Sequence, residues 1–389
     1  MRFLNAARAW IEVPIRLAAS ACRRMFGKLS GSDVRSLEDL QRFWAERRSR
    51  GLGPERVSSE DGNAALHRTM NINTKDAYRG LNVSNYKVNS PRLKTARGIQ
   101  ELDAKYRRGT VFIVAAGPSL DKNIDELKRI NGRWPIFACD AVLPMLAAHG
   151  IEPDYAMLVD VKDTQARFFA DIKPGTKTKL LAVACAHRKA LEAWPGEVLF
   201  FNSQANRRDQ RLQLKVGQDF GSIGVGGNVS TALLCLVTNF CEATTVVFVG
   251  HDFSFQPGKY YAKNGLHDMA AAMSAKPWWD INGETVYTNF QLWAYRNWTV
   301  DFADSLYALD EKLEANGINP MGYRLINATE GGILGTTKEF RVNSDLFEYA
   351  KLSETIDNLE AASVGSGVGA PPPKSETGDA MLRRALARA

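Results

Sequence analysis

The sequence predicts an α/β protein built on a doubly wound, mostly parallel, Rossmann-like sheet. Two observations carry this. From Thr110 onward, six short and nearly unbroken apolar runs alternate with helical patterns, as in sheets covered on both faces and linked by helical crossovers. The composition, 45% hydrophobic and 24% charged over 389 residues, is that of a globular protein with room for a sizeable core.

Taken in order, residues 1–30 form a basic amphipathic segment. Arg2, Arg8, Arg16, Arg23, Arg24 and Lys28 stand there against Glu12 alone, interleaved with Phe3, Leu4, Trp10, Ile11 and Ile15. Glu12, Pro14 and Arg16 break the apolar stretch that a secretory signal needs. Two readings stay open for residues 1–28: a helix on an anionic membrane surface, or a helix packed on the protein body. Most of the net charge of +7 sits in this segment, so the remainder is close to neutral and a nucleic-acid partner is not expected. Residues 31–100 read as an extension wrapping the core, with a helix over Ser36 to Arg48.

Residues 101–336 read as the main domain. The runs TVFIVAA, WPIFAC, YAMLVD, KLLAVAC, EVLFF and TTVVFVG are its strands. Helices are expected over Asp121–Ile130, Ala141–His149, Thr164–Asp171, His187–Trp194, Asn228–Phe240 and, at greater length, Phe290–Asn316. YRLINATEGG supplies one more strand and loop. A C-terminal helix is expected over 337–361, followed by a flexible Gly/Pro linker and basic tail over 362–389. No run approaches the roughly 18 apolar residues of a membrane span. The five cysteines form no CxxC pair, which points away from a disulfide framework or zinc site and toward a reducing cytoplasm.

Ligands of open parallel sheets bind beyond the carboxyl ends of the strands, so the residues that follow each run are the candidates. The first run leads into Gly117-Pro118-Ser119, where Gly117 permits close backbone approach, Pro118 fixes the turn and Ser119 can cap a helix. Free N–H groups at that helix start would favour an anion. A structural turn would read the same way. The second and third runs end in Asp140 and Asp160, each suited to a ribose hydroxyl, to Mg²⁺ or to capping the next helix. Gly224, Gly226, Gly227 and Asn228 form a glycine-rich approach to a helix, able to surround a base or phosphate. The last run delivers His251, a candidate general base, beside Asp252. Lys259, Tyr260 and Tyr261 follow and can stabilise a departing phosphate. Glu330 and Gly331, after the late strand, can close over a substrate.

The ordered set IVAAGPSLDKNI, CDAVLPMLAAHGIEPDY, GGNVSTALL, VGHDFSF and NATEGGILG resembles the catalytic domain of the Maf-type motility accessory factors. That domain is shared with archaeal 6-hydroxymethylpterin diphosphokinases. The resemblance spans roughly residues 100–336 and implies a sialyltransferase-like core. It also implies one of two activities. The first is transfer of a nonulosonic, sialic-acid-like sugar from a CMP donor to a protein or glycan hydroxyl, without a metal. The second is pyrophosphoryl transfer from ATP with Mg²⁺, for which Asp140 and Asp160 would hold the metal. A non-catalytic nucleotide-binding scaffold is the third reading.

By position, the resemblance implies nucleotide contacts for Gly117, Pro118, Ser119, Asp140, Asp160, Gly224, Gly226, Gly227 and Asn228. It makes His251 or Asp252 the base, gives Tyr260 and Tyr261 the leaving phosphate, and gives Glu330 and Gly331 the substrate. The glycosyltransferase is the expected activity, working in the cytoplasm or at the inner face of the membrane.

Overall fold

The computed structural model describes residues 78–203, 218–256, 259–263, 275–336 and 346–366. The expectations for residues 1–77 and for the tail beyond 366 lie outside the described residues.

The described chain begins with a helix that the polar composition of residues 31–100 does not announce. This helix, α1 (Arg79–Leu93), buries Asn85, Tyr86, Asn89 and Leu93. Asn85 and Asn89, one turn apart, face the same way. Asn85 Nδ2 donates to the carbonyls of Val161 and Cys185 at 2.8 and 3.0 Å. Asn89 Nδ2 donates to those of Ala184 and Ala186 at 3.1 and 2.9 Å. Asparagine amides thus do the seating that an apolar stripe does elsewhere. Behind α1 comes a two-residue strand, β1 (Arg97–Gly98), also unannounced.

The six predicted strands are all present: β2 (Thr110–Val114), β3 (Ile136–Cys139), β4 (Tyr155–Leu158), β5 (Lys179–Val183), β6 (Val198–Ser203) and, after the short β7 (Ser222–Ile223), β8 (Thr245–Val249). Nearly every residue in them is buried, as their unbroken apolar character requires. Beyond them lie a hairpin of β9 (Lys276–Trp279) and β10 (Thr285–Thr288), then β11 (Arg324–Asn327) and β12 (Glu348–Tyr349). The main sheet runs β1-β6-β5-β4-β3-β2-β8-β11-β12, with β7 paired to β6. Every pairing in it is parallel. Strand order marches outward from β2 to β6 on one side and from β8 to β12 on the other. The direction of winding therefore reverses between β2 and β8.

The helices differ more from expectation. The segment Asp121–Ile130 divides into 3₁₀ turns at Pro118–Lys122 and Ile124–Glu126 and a single α turn, α2 (Leu127–Ile130). Thr164–Asp171 is a 3₁₀ stretch over Asp163–Phe169. α3 (Leu143–Ala148), α4 (Arg188–Ala193) and α5 (Val229–Cys235) fall where expected. α5 continues as a π turn through Leu236–Phe240. His187 caps α4, its Nδ1 accepting from the Lys189 N–H at 3.2 Å, which accounts for it structurally. The long helix α6 runs Phe290–Ala315, capped by Asn289.

The C-terminal helix expected over 337–361 is instead α7 (Leu352–Ser366), preceded by β12. It therefore extends into the segment expected to be flexible linker. None of the described helices is long and apolar enough to cross a membrane. Cys139, Cys185, Cys235 and Cys241 are buried and form no disulfide, and burial pushes the thiols of Cys139, Cys235 and Cys241 up, as suits core residues.

Candidate functional site

At the reversal between β2 and β8 the carboxyl ends of the strands open into a cavity of about 470 Å³. Its wall includes Gly117 after β2, Asp140 after β3, Asp160 after β4, and His251 and Asp252 after β8. Gly227 and Asn228 before α5, and Tyr260 and Tyr261, also line it. Nine of the expected site residues thus share one space.

The turn after β2 is locked to the end of β8. Ser119 Oγ donates to Asp252 Oδ2 at 2.6 Å, and the Ser119 N–H donates to Asp252 Oδ1 at 3.2 Å. The Gly117 N–H donates to the Gly250 carbonyl at 2.9 Å. A Cβ on Gly117 would lie 1.9 Å from Asp252 Oδ2 and 2.4 Å from the Gly250 oxygen. Glycine is needed there because this carboxylate and backbone approach so closely. Two expectations change as a result. The Ser119 hydroxyl goes to Asp252 and caps no helix. The N–H groups of Gly117 and Ser119 are already bonded within the protein, so the turn does not offer them to an anion. Pro118 and Ser119 are buried behind the cavity and do not line it.

Asp252 is itself 4% exposed, and burial lifts its carboxyl to about 7 against the pull of the Ser119 bonds. Asp140, 3% exposed, is in the same condition. Burial lifts it to about 7, the Ala141 N–H bond opposes the shift, and nearby Asp160 adds to it. Asp140 Oδ1 accepts from the Ala141 N–H at 2.9 Å, while Oδ2 is buried with no partner. Asp160 Oδ1 accepts from the Lys162 N–H at 3.0 Å. Each aspartate braces its local turn with one oxygen, but neither caps the next helix: the cap positions are Cys139 and Lys162, and no side chain caps there.

His251 is 2% exposed. Its N–H donates to Thr329 Oγ1 at 3.1 Å, and its ring Nδ1 lies 3.1 Å from the Val249 carbonyl. A carbonyl can only accept, so Nδ1 carries the proton and Nε2 the lone pair. Nε2 is buried with no partner. Burial depresses the imidazole to about 4, which keeps it neutral near pH 7. Phe248 and Phe253 pack edge-on against the ring.

The segment 259–263 closes over the β2 turn. The Ala262 N–H donates to the Ala116 carbonyl at 3.1 Å, and the Lys263 N–H to Asp121 Oδ1 at 2.7 Å. Lys259 pairs with Asp121 Oδ2 at 3.0 Å and does not line the cavity. Tyr260 packs on Phe255 with ring centroids 4.6 Å apart. Burial raises Tyr261 above its usual range, so it remains a phenol donor at neutral pH.

Asn228 caps α5 as expected, in a reciprocal box: Oδ1 accepts from the Thr231 N–H at 2.9 Å, and the Asn228 N–H donates to Thr231 Oγ1 at 3.3 Å. Gly227 has φ +109° and leaves room for Tyr295, while a Cβ on Gly226 would lie 2.3 Å from the Trp298 ring. Gly224 and Gly226 do not line the cavity. The close approach of α6 accounts for Gly226 and Gly227.

Glu330 and Gly331 do not reach the cavity either. Glu330 Oε1 accepts from Asn123 Nδ2 at 2.9 Å and from the Leu352 N–H at 3.0 Å, at the start of α7. The Glu330 carbonyl accepts from Lys122 at 2.9 Å. A Cβ on Gly331 would sit 3.2 Å from Ser119. This loop braces the site from outside.

Sequence reasoning missed the wall residues from α1 (Tyr78, Asn82), from the 3₁₀ stretch (Gln165, Phe168) and from α6 (Gln291, Leu292, Tyr295). The paired glycines were a usable signal that something bulky packs close by, although not of what. Asp140, Asp160 and Asp252 are the carboxyl groups of the described wall, and it holds no lysine or arginine. The described residues contain no cluster of three or more metal-ligating side chains.

Comparison with known proteins follows from this geometry. A family model described as "6-hydroxymethylpterin diphosphokinase MptE-like" matches residues 84–258. An uncharacterized protein of Treponema pallidum (strain Nichols) is 38% identical over 49 residues, 13% of this chain and 23% of that protein. A solved structure described as MAf glycosyltransferase from Magnetospirillum magneticum AMB-1 is 16% identical, covering 71% of this chain and 42% of its own, with a TM-score of 0.42. This chain thus spans less than half of that structure's length. Residues 84–258, which run from α1 through β8 and carry the Gly-Pro-Ser turn and the His-Asp pair, match the MptE-like family that the ordered motifs resemble.

Proposed function

We propose that the chain is a nucleotide-dependent transferase that moves a nonulosonic, sialic-acid-like sugar from a CMP-linked donor to a hydroxyl of a protein or glycan. The observation that carries the reading is the state of His251. The Val249 carbonyl fixes Nδ1–H, burial keeps the ring neutral, and the unpartnered Nε2 belongs to a residue of the cavity wall. That is the form a general base needs.

In the proposed step the acceptor hydroxyl gives its proton to His251 Nε2 as its oxygen attacks the anomeric carbon. The bond from that carbon to the phosphate oxygen breaks, and CMP departs with the bonding pair. The imidazolium then releases its proton to solvent. Tyr260 and Tyr261 line the same cavity and supply phenol donors to the departing phosphate. Asp252, bonded twice by Ser119, positions the turn rather than serving as the base.

Charge favours this donor. ATP brings several negative charges to a wall whose described residues include three aspartates and neither lysine nor arginine. A CMP-linked nonulosonic sugar brings one phosphodiester and the sugar's own carboxylate, fewer charges than ATP, and makes a smaller demand. The matched family's printed activity supports pyrophosphoryl transfer as a second reading. There the unpartnered Asp140 Oδ2, with Asp160, fits a hard divalent ion. Mg²⁺ held by those two residues would offset the phosphate charge.

A transfer assay with the CMP-linked sugar in EDTA tests the reading. His251→Ala should cost at least about 10²-fold in turnover, the usual scale for a lost general base, with donor affinity retained. Full activity of that variant removes His251 from the mechanism, and activity only with added Mg²⁺ favours the second reading.

A further inference from the structure

We propose that Asp140 is the specificity-determining residue for the base, reading one N–H of an exocyclic amine so that the cavity accepts amino-bearing bases and rejects their keto counterparts. This rests on the reading of the cavity as a nucleotide site.

Three features lead there. Asp140 is buried, one of its oxygens is bonded to the Ala141 N–H, and Oδ2 has no partner within the protein. A buried acceptor without a partner is costly, and this one belongs to a residue in the cavity wall. The wall that holds Asp140 also includes the apolar and aromatic side chains of Val159, Val161, Phe168 and Tyr261, which can face a flat heterocycle. The wall itself holds no lysine or arginine among its described residues; of the charges acting on Asp140, Asp160 adds to its lift and Arg167, outside the wall, opposes it.

Above pH 7, where the Asp140 carboxyl is ionised, cytosine presents such an amine to it, whereas uracil presents a carbonyl oxygen, which a carboxylate oxygen repels. Adenine and hypoxanthine differ in the same way. Asparagine in place of Asp140 could turn its amide to donate instead, and would then accept the keto base.

The test is calorimetric titration of the full chain at about pH 8.5, where Asp140 is ionised, in EDTA, with CMP, UMP, AMP, IMP and 2′-deoxy-CMP. The native protein should bind CMP at least about tenfold more tightly than UMP, a modest return for one discriminating hydrogen bond. Asp140→Asn should shrink or invert that ratio, and 2′-deoxy-CMP should bind like CMP. The melting temperature of the variant, taken without ligand, shows that it is folded. Equal affinity for CMP and UMP in the native protein overturns the proposal. So does equal weakening of both by Asp140→Asn, or a loss that follows the 2′-hydroxyl rather than the base. Preference for AMP over IMP without binding of CMP would uphold the amine reading and sink the CMP donor. No binding by any of the five would sink both.

Discussion

Ser119 and Asp252, 133 positions apart in the chain, are joined by two hydrogen bonds, from the Ser119 hydroxyl to Oδ2 at 2.6 Å and from its N–H to Oδ1 at 3.2 Å. The pair ties the end of β2 to the end of β8 at the point where the sheet reverses. A carboxylate of the protein occupies the place that sequence reasoning reserved for a bound anion. The clasp shapes the cavity from behind without lining it through Ser119.

Ser119→Ala should therefore destabilise the fold by about 1–3 kcal/mol, the cost of leaving a buried polar group short of partners. Asp252→Asn should give a loss that does not add to it, because both variants break the same contact. Urea unfolding of the two single variants and the double variant measures the coupling. Strict additivity would mean that the two side chains act independently.

Gly117→Ala should be worse than Ser119→Ala. The new methyl would meet a carboxylate oxygen and a backbone oxygen at 1.9 and 2.4 Å, and overpacking of this kind costs about 1–3 kcal/mol or more. The check is the melting temperature relative to wild type, with an unchanged value contradicting the geometry.

Asp140 makes a prediction with a definite sign. Its carboxyl is lifted by burial from an ordinary 3.8 to about 7. Below pH 4 the folded and unfolded chains both hold the proton. Between 4 and 7 only the folded chain does, so raising the pH through that window costs stability, and above 7 the whole penalty is present. Asp140→Asn removes this dependence. Its stability relative to wild type should rise by on the order of a few kcal/mol between pH 4 and 8, read by denaturant titration across that range. A difference that stays flat with pH would show that the group is not held in this state.

Glu330→Ala separates the brace from the site. Losing the acceptor for Asn123 and for the first N–H of α7 should lower stability by about 1–2 kcal/mol. Nucleotide affinity should hold, since Glu330 is not in the cavity wall. Lost affinity at unchanged stability would restore the substrate-binding role read from the sequence.

Much of this architecture was legible because buried parallel strands leave an unmistakable trace: β2 through β6 and β8 are unbroken apolar runs. The candidate residues after them were legible for the same reason, since a parallel sheet places the ends of its strands together. What stayed hidden depended on long-range partners. No local pattern tells that the Ser119 hydroxyl goes to Asp252, or that Tyr295 and Trp298 crowd the glycines before α5. The helix α1 was missed because Asn85 and Asn89 seat it through backbone carbonyls, which leaves no hydrophobic stripe to read. The 3₁₀ turns after β2 and β4 carry helical composition without helical hydrogen bonding.

The most direct test of the central claim is a thermal-shift comparison of CMP and ATP, each with Mg²⁺ and with EDTA. A ligand that binds only the folded chain raises its melting temperature by mass action. The account predicts stabilisation by CMP that is the same with metal and without it. Stabilisation by ATP with Mg²⁺, and none by CMP, would contradict it.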